Sequence, residues 1–254
     1  MLRRLFAHTY PTEKKEDSAM SIAENVARIK AELTAAAIAA GRDPKEIQLC
    51  AATKMNDSEA VRQAIAAGVD CCGENRVQEL VKKQAEQAYA GVPVHFIGHL
   101  QTNKVKQVVG KVDLIQSVDS LRLLEAINKE AARQGICQKV LLEVNIGAEE
   151  SKSGFAPEVL PEVLEKITQF SNLEVRGLMA IPPICEKSTE SVKFFQEMYN
   201  LSVDIMRKKY DNVWVDVLSM GMSDDFQEAI SCGSTMIRVG TAIFGARDYD
   251  KIHL

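Results

Sequence analysis

Short apolar runs recur along the chain, most of them bounded by glycine or polar residues, and stretches with helical periodicity separate them. Most of these runs do not alternate polar with apolar positions, which is typical of strands covered on both faces in a parallel sheet. Eight runs have strand length, and they lie at residues 47–53, 69–72, 94–97, 112–118, 139–145, 173–180, 213–218 and 236–239. The pattern therefore predicts eight short buried strands.

The intervening stretches predict helices. The first begins at Ser21, which forms a capping-box sequence with Glu24, and it ends at Gly41, before the first strand. Further helices are predicted at residues 58–67, 76–89, 102–109, 120–134, 157–170, 190–209 and 226–231. Such alternation implies right-handed βαβ units. The chain is predicted to be an α/β protein with a single (β/α)8 TIM-type barrel, preceded by an extra N-terminal helix, and a doubly wound open sheet is the alternative.

Residues 1–19 show neither strand nor helix periodicity and mix Arg3, Arg4 and Pro11 with a charged run. We interpret residues 1–19 as a disordered N-terminal extension and residues 20–254 as one barrel domain, since no linker interrupts the pattern. The acidic residues of the extension disfavour a transit peptide, because such peptides contain few acidic residues.

Composition narrows the classes of partner. The chain has 31 basic and 35 acidic residues, a net charge of −4 and no extended basic run, so nucleic acid and membrane surfaces are not predicted partners. Its six cysteines have no CxxC spacing, and we interpret them as reduced thiols in the core. Reduced thiols favour a cytoplasmic location. None of the four histidines pairs with Asp, Glu or Cys at a ligand spacing, so no metal site is predicted.

Lys54 is the first candidate for chemistry. It follows the apolar run at residues 47–53, and binding groups of parallel α/β proteins collect at the carboxyl ends of strands. A partly desolvated lysine amine can attack a carbonyl and form a Schiff base. The alternative interpretation is a surface lysine that opens a loop.

Hydroxyl groups and glycines follow the last two predicted strands. Ser219 and Gly221 follow the seventh, and Gly240 and Thr241 follow the eighth. In barrels this region commonly binds phosphate through backbone N–H groups. Each glycine alone is explained by a tight turn, but together they predict a phosphate site.

Three more polar residues lie near predicted strand ends or inside strands. Arg238 lies within the eighth strand and needs an acceptor, for which Glu143 of the fifth strand is a candidate through a buried ion pair. Asn75 could cap a turn or line the site. His99 is interpreted as a polar group at the barrel mouth or as a packing histidine.

The sequence resembles the pyridoxal phosphate homeostasis protein family (YggS/PROSC), whose barrel is similar to the N-terminal domain of alanine racemase. The resemblance rests on the segments ATK at 52–54, GENRVQE at 73–79, HFIGHLQTNK at 95–104, GLM at 177–179, LSMGMSDD at 218–225 and IRVGTAIFG at 237–245. It implies pyridoxal 5'-phosphate (PLP) as the cofactor. The implied cofactor-binding residues are Lys54, which would hold PLP as a Schiff base, together with Asn75, Ser219, Met220, Arg238, Gly240 and Thr241.

The resemblance implies binding, buffering and delivery of PLP without catalysis. Arg238 would face the pyridine nitrogen and leave it unprotonated, which weakens the cofactor as an electron sink. Racemisation also needs a second base, and no tyrosine follows a predicted strand. We therefore predict no catalytic residue, PLP-dependent apo-enzymes as recipients, and a monomer. The alternatives are a racemase-like PLP enzyme, a cofactor-free Schiff-base aldolase, and a regulatory role through protein contacts.

Overall fold

Eight parallel strands form a closed barrel in sequence order, and the last strand pairs with the first. The computed structural model describes residues 20–149, 152–183 and 185–245, so the predicted N-terminal extension lies outside the described residues. The strands are β1 (Gln48–Ala52), β2 (Cys71–Glu74), β3 (Val94–Phe96), β4 (Leu114–Val118), β5 (Gln138–Val144), β6 (Leu173–Ala180), β7 (Val213–Ser219) and β8 (Met236–Val239). The predicted (β/α)8 barrel is confirmed.

Helices cover the outside of the barrel. They are α1 (Ile22–Ala39), α2 (Ser58–Ala66), α3 (Val77–Ala85), α4 (Leu121–Gln134), α5 (Leu160–Ile167), α6 (Val192–Lys208), α7 (Phe226–Ser231) and α8 (Thr241–Phe244). Within the described part of the chain, no helix combines the length and the hydropathy needed to cross a membrane.

The extra helix α1 begins at the predicted capping box, in which Ser21 Oγ accepts from the Glu24 N–H. It packs against α7 and α8, and Asn25 Nδ2 donates to the Ile243 carbonyl at 3.0 Å. Because α8 directly follows β8, α1 helps to fix the last βα turn of the barrel.

Side chains divide into an outer and an inner layer. Along β1, Leu49 and Ala51 belong to the large core between the strands and the helices, whereas Cys50 packs inside the barrel with Cys71 and Met236. A period of two along each strand produces this division. The inner layer also contains buried polar residues, among them Gln116, Ser219 and Arg238.

Two predicted helices differ from the observed structure for local physical reasons. Residues Thr102–Gln107 form a 3-10 helix, because Val105 is their single buried residue and no apolar stripe anchors an α-helix. The helix predicted from Pro157 begins as a 3-10 turn and becomes α-helical only at Leu160, since Pro161 has no N–H to donate to residue 157. The sequence pattern also missed the short helix α8.

Candidate functional site

Lys54 lies two residues beyond β1, half-buried at the carboxyl end of the barrel. Met55 takes a left-handed conformation with φ 64°, and its N–H donates to Glu79 Oε2 on α3 at 2.7 Å. Asn56 Nδ2 donates to the Lys54 carbonyl at 3.0 Å. The turn that carries the lysine is therefore fixed to its neighbours rather than left as an open loop.

A buried ion pair lies beside this turn. Lys83 of α3 donates to Glu74 Oε1 at 2.5 Å and to the Thr53 carbonyl at 2.8 Å. Thr53 Oγ1 and the Tyr89 hydroxyl also donate to Glu74 Oε1, at 2.6 and 3.0 Å. Glu74 and Lys83 are both buried, and the network holds the backbone next to Lys54. The sequence pattern gave no indication of this pair.

Asn75 lies next to Lys54 at the barrel mouth. Ala52 of β1 pairs with Gly73 of β2, and Lys54 and Asn75 each follow two residues later. The Oδ1 atom of Asn75 is buried and accepts no hydrogen bond from the described residues. A Cβ atom on Gly98 would lie 2.3 Å from the Asn75 carbonyl oxygen, so only glycine allows this approach of β3 to the Asn75 backbone. The site thus presents a fixed acceptor with no protein partner.

Arg238 is buried inside the barrel, beside Cys50 in the pairing of β8 with β1. Its Nη1 donates to Ser219 Oγ at 2.6 Å and its Nη2 to the Ala180 carbonyl at 2.8 Å. The candidate ion pair with Glu143 does not form, and two of the five guanidinium N–H groups donate to these neutral acceptors instead. Burial lowers the pKa of Arg238, while Cys50, Glu143 and Asp225 oppose that shift.

Glu143 faces the same interior from β5 and lines a cavity at the mouth with Asn75 and His99. Burial raises the pKa of its carboxyl, the neighbouring Asp119 carboxylate raises it further, and Arg238 and His99 oppose these effects. The folded protein therefore holds a proton on Glu143 at a pH where the unfolded chain has lost it.

This shift gives a pH-dependent prediction. Since the folded pKa of Glu143 exceeds the unfolded value, its contribution makes the free energy of unfolding fall as pH rises from the unfolded to the folded pKa. We expect Glu143→Gln to reduce this slope in urea titrations across the acidic range. Glu125→Gln, on the exposed side of α4, serves as the control. An unchanged slope in Glu143→Gln would contradict the assignment.

Ser219 is fully buried, and its hydroxyl is already engaged. It accepts from Arg238 and donates to Gln116 Oε1 at 2.7 Å. The adjacent Met220 N–H donates to the Met236 carbonyl at 3.1 Å. The hydroxyl predicted to bind phosphate therefore points into the barrel and positions Arg238 in the described structure.

The last βα turn brings Gly240 and Thr241 to the amino end of α8, next to the carboxyl end of β1. A Cβ atom on Gly240 would lie 3.4 Å from Ala52 Cβ, an ordinary contact. Ser223 Oγ accepts from the Ala242 N–H at 3.3 Å, so it lies at the same helix end. Ser223 is part of the LSMGMSDD segment but was not among the predicted cofactor-binding residues.

His99 lies on the outside of the mouth. Its side chain is 60% exposed, and Nδ1 lies 3.0 Å from Asp119 Oδ2. The prediction of a polar group lining the mouth is confirmed, since His99 lines two neighbouring cavities there.

The structure thus brings Lys54, Asn75, Gly240 and Thr241 to one end of the barrel and places Arg238 and Ser219 deeper in its interior. A family model described as alanine racemase, N-terminal domain, matches residues 20–248. The pyridoxal phosphate homeostasis protein of Pseudomonas aeruginosa is 43% identical over 230 residues, which cover 90% of this chain and 97% of that protein. This chain belongs to the pyridoxal phosphate homeostasis protein family.

Solved structures agree with membership of the pyridoxal phosphate homeostasis protein family. PipY of Synechococcus elongatus PCC7942, without PLP, is 34% identical with a TM-score of 0.80 and covers 89% of this chain and 100% of its own. A second PipY structure has PLP bound. The alanine racemase of Clostridium difficile 630 is 16% identical with a TM-score of 0.69, covering 89% of this chain and 58% of its own, and shares the fold.

Proposed function

We propose that this protein binds PLP at the mouth of its barrel and holds it for delivery without transforming an amino acid. The observation that carries the proposal is the combination of Lys54 at the carboxyl end of β1 with the buried guanidinium of Arg238 on the adjacent β8. Family membership and the PLP-bound structure of PipY support the choice of ligand.

The residues at the mouth fit PLP by their donor and acceptor chemistry. Lys54 offers an amine for the aldehyde, and the amino end of α8 offers Gly240 and Thr241 N–H groups and the Ser223 hydroxyl for the phosphate. Met220 lies on the preceding turn, with its side chain buried. Asn75 Oδ1 is a buried acceptor that gains a partner from a ring hydroxyl. Once bound, PLP supplies an electrophilic aldehyde and an electron-withdrawing ring.

Arg238 favours storage over catalysis. A guanidinium has no acceptor and cannot protonate a pyridine nitrogen, so carbanion chemistry gains little from the ring. Ser219 and Ala180 fix the guanidinium in the barrel interior. The remaining guanidinium N–H groups would donate to the ring nitrogen of bound PLP, which would stay an acceptor.

The tyrosines of the described residues offer no second base at a strand end. Tyr89 donates to the buried Glu74, and burial together with Glu74 raises the pKa of its hydroxyl. Tyr199 lies on α6 and Tyr210 follows α6, outside the barrel wall. This arrangement supports a carrier rather than a racemase.

We propose that the carrier works in the cytoplasm. Six cysteines without disulfides fit the reducing cytoplasm. We propose a monomer that passes PLP to apo-enzymes. Reactivation of a PLP-dependent apo-enzyme by the loaded protein, faster than by the same concentration of free PLP, is the expected sign of delivery.

Borohydride labelling tests the anchor. We expect PLP to give a visible absorbance band with the full chain and, after reduction, a pyridoxyl group on the peptide that contains Lys54. Lys54→Ala should lose at least about 90% of the fixed label, because the amine is the only covalent attachment. Lys104→Ala is the matched control, since Lys104 lines a cavity at the same mouth.

Two outcomes would reject parts of this proposal. Equal labelling of the wild type and Lys54→Ala would place the attachment elsewhere. Rapid exchange of the α-proton of free amino acids for deuterium, catalysed by the loaded protein and abolished in Lys54→Ala, would favour the racemase-like alternative.

A further inference from the structure

Three potential metal ligands meet inside the barrel, below the cofactor site. The thiols of Cys50 and Cys71 and a ring nitrogen of His95 all lie within 4.8 Å of one another. Cys50 and Cys71 are direct partners in the pairing of β1 with β2, so both sulfur atoms project inward from neighbouring strands. None of the three residues is more than 6% exposed.

The separation of these atoms matches a tetrahedral ligand set. Cys71 Sγ lies 3.6 Å from His95 Nδ1. Metal–ligand bonds of about 2.3 Å to sulfur and about 2.05 Å to nitrogen at a tetrahedral angle place those two ligand atoms about 3.6 Å apart. The pair can therefore bind one zinc-sized ion with little movement of either side chain.

The hydrogen bonds around His95 leave a lone pair on the required nitrogen. Arg238 can only donate, so Ser219 Oγ accepts from it and uses its own proton to donate to Gln116 Oε1. The amide nitrogen of Gln116 therefore faces His95, with its N–H directed at Nδ1 over 2.9 Å. Nδ1 is therefore an acceptor, and its proton resides on Nε2. A cation would replace the Gln116 N–H at that lone pair.

The surroundings favour a soft or borderline cation. The thioether of Met236 lies 3.1 Å from Gln116 Nε2, at the edge of the same cluster. Hydrogen bonding from Cys71, together with His95 and the positive charge of Arg238, lowers the pKa of Cys50 to about 6 against the effect of burial. A bound cation takes both sulfur atoms as thiolates, so binding releases the thiol protons.

The amino-terminal end of the barrel gives access to this cluster. A cavity of about 680 Å³ opens there, and His95, Met236 and Gln48 contribute to its lining. The access lies at the opposite end of the barrel from Lys54. The cavity therefore reaches the cluster at His95 and Met236, without passing through the proposed PLP site.

We propose that Cys50, Cys71 and His95 form a binding site for a thiophilic divalent cation of the zinc type, with the fourth position filled by solvent or by the Met236 thioether. Two thiolates and a neutral imidazole balance the charge of the ion inside the barrel. The site adjoins the proposed PLP site through the hydrogen bonds from Arg238 to Ser219, from Ser219 to Gln116 and from Gln116 to His95, but PLP supplies none of its ligands.

Cobalt(II) is the probe, since it occupies tetrahedral zinc sites and reports thiolate ligands by absorbance. The full chain, reduced and kept anaerobic, is titrated with Co²⁺ in the absence of PLP. We expect one equivalent to give a thiolate charge-transfer band and tetrahedral ligand-field bands, and added Zn²⁺ to abolish them. Absence of these bands from folded, reduced protein would overturn the proposal.

Variants test the assignment of the ligands. Cys50→Ala and Cys71→Ala should each weaken Co²⁺ binding by more than about 100-fold. Cys72→Ala is the matched control, because Cys72 neighbours Cys71 but belongs to the outer core, and it should bind as the wild type does. Equal binding by all three variants, or equal loss, would reject the site.

Alkylation of the wild type avoids any effect of the variants on folding. One equivalent of Zn²⁺ should slow modification of Cys50 and Cys71 at least about tenfold, as mapped by mass spectrometry, and leave the exposed Cys137 unchanged. Equal rates at Cys50 and Cys71 with and without zinc would overturn the proposal.

Discussion

Lys83→Met is expected to lower the free energy of unfolding by roughly 3–5 kcal/mol. Methionine approximates the length and volume of the lysine stem but cannot donate, so the buried Glu74 carboxylate loses its cationic partner. The Thr53 carbonyl loses a donor as well. The cost comes mainly from the uncompensated charge, since Thr53 and Tyr89 continue to donate to Glu74.

Urea unfolding of a double-variant cycle checks this prediction. Glu74→Gln removes the charge, so the double variant Glu74→Gln, Lys83→Met should be more stable than Lys83→Met alone. Lys82→Met is the matched control on the exposed side of the same helix and should change stability by less than about 0.5 kcal/mol. A loss below about 1 kcal/mol in Lys83→Met would contradict a buried charge pair.

The same variant is expected to weaken PLP retention. Lys83 holds the Thr53 carbonyl, one residue before Lys54, and Glu79 of the same helix holds the Met55 N–H. Loss of the hydrogen bond from Lys83 to the Thr53 carbonyl allows the turn that carries Lys54 to move, although Lys54 itself is unchanged. Borohydride labelling at a fixed low PLP concentration should therefore fall in Lys83→Met and be unaffected in Lys82→Met.

Gly221→Ala is expected to destabilise the protein by about 2–4 kcal/mol, through backbone strain and overpacking together. Gly221 has φ 93°, which an L-residue rarely adopts. An added Cβ would lie 2.6 Å from Ala229 Cβ and 3.0 Å from Phe226 Cα. The Gly221 carbonyl also accepts from the Arg238 N–H at 2.9 Å, so displacement of this turn would be transmitted to β8.

Gly135→Ala separates the two causes. Gly135 also has a positive φ, 67°, but an added Cβ would meet no atom within 4 Å. It should cost about 1–2 kcal/mol and leave PLP affinity unchanged. Gly221→Ala should cost more and weaken PLP binding as well. Equal stability losses in urea unfolding would show that strain alone operates at Gly221.

The barrel was predictable because its strands are short, apolar and separated by amphipathic helices. The strands at 173–180 and 236–239 were predicted with the observed bounds. Asn172 precedes the first and the prolines at 182 and 183 break the chain just after it, whereas Thr235 and Gly240 flank the second. Helix type was less predictable where few buried residues hold a segment, as at Thr102–Gln107. The helix α8 is too short to give a periodic signal.

The placement of candidate site residues was predictable where they follow strands in sequence. Lys54, Gly240 and Thr241 lie at the barrel mouth because strand ends of a parallel barrel share one edge. The identity of inner neighbours was not predictable, since it depends on register. Glu74 and Lys83, and the trio of Cys50, Cys71 and His95, come together only when strands and helices pack. The spacing of potential metal ligands along the chain therefore gave no indication of the cluster of two thiols and an imidazole.

The pairing of β8 with β1 has a consequence for synthesis of the protein. Lys54 leaves the ribosome early, whereas Arg238, Gly240 and Thr241 emerge only after all the other strands. A nascent or truncated chain without β8 presents the lysine but has no wall on one side of it and no helix end for a phosphate. Capture of the cofactor thus becomes a late event that marks a finished barrel.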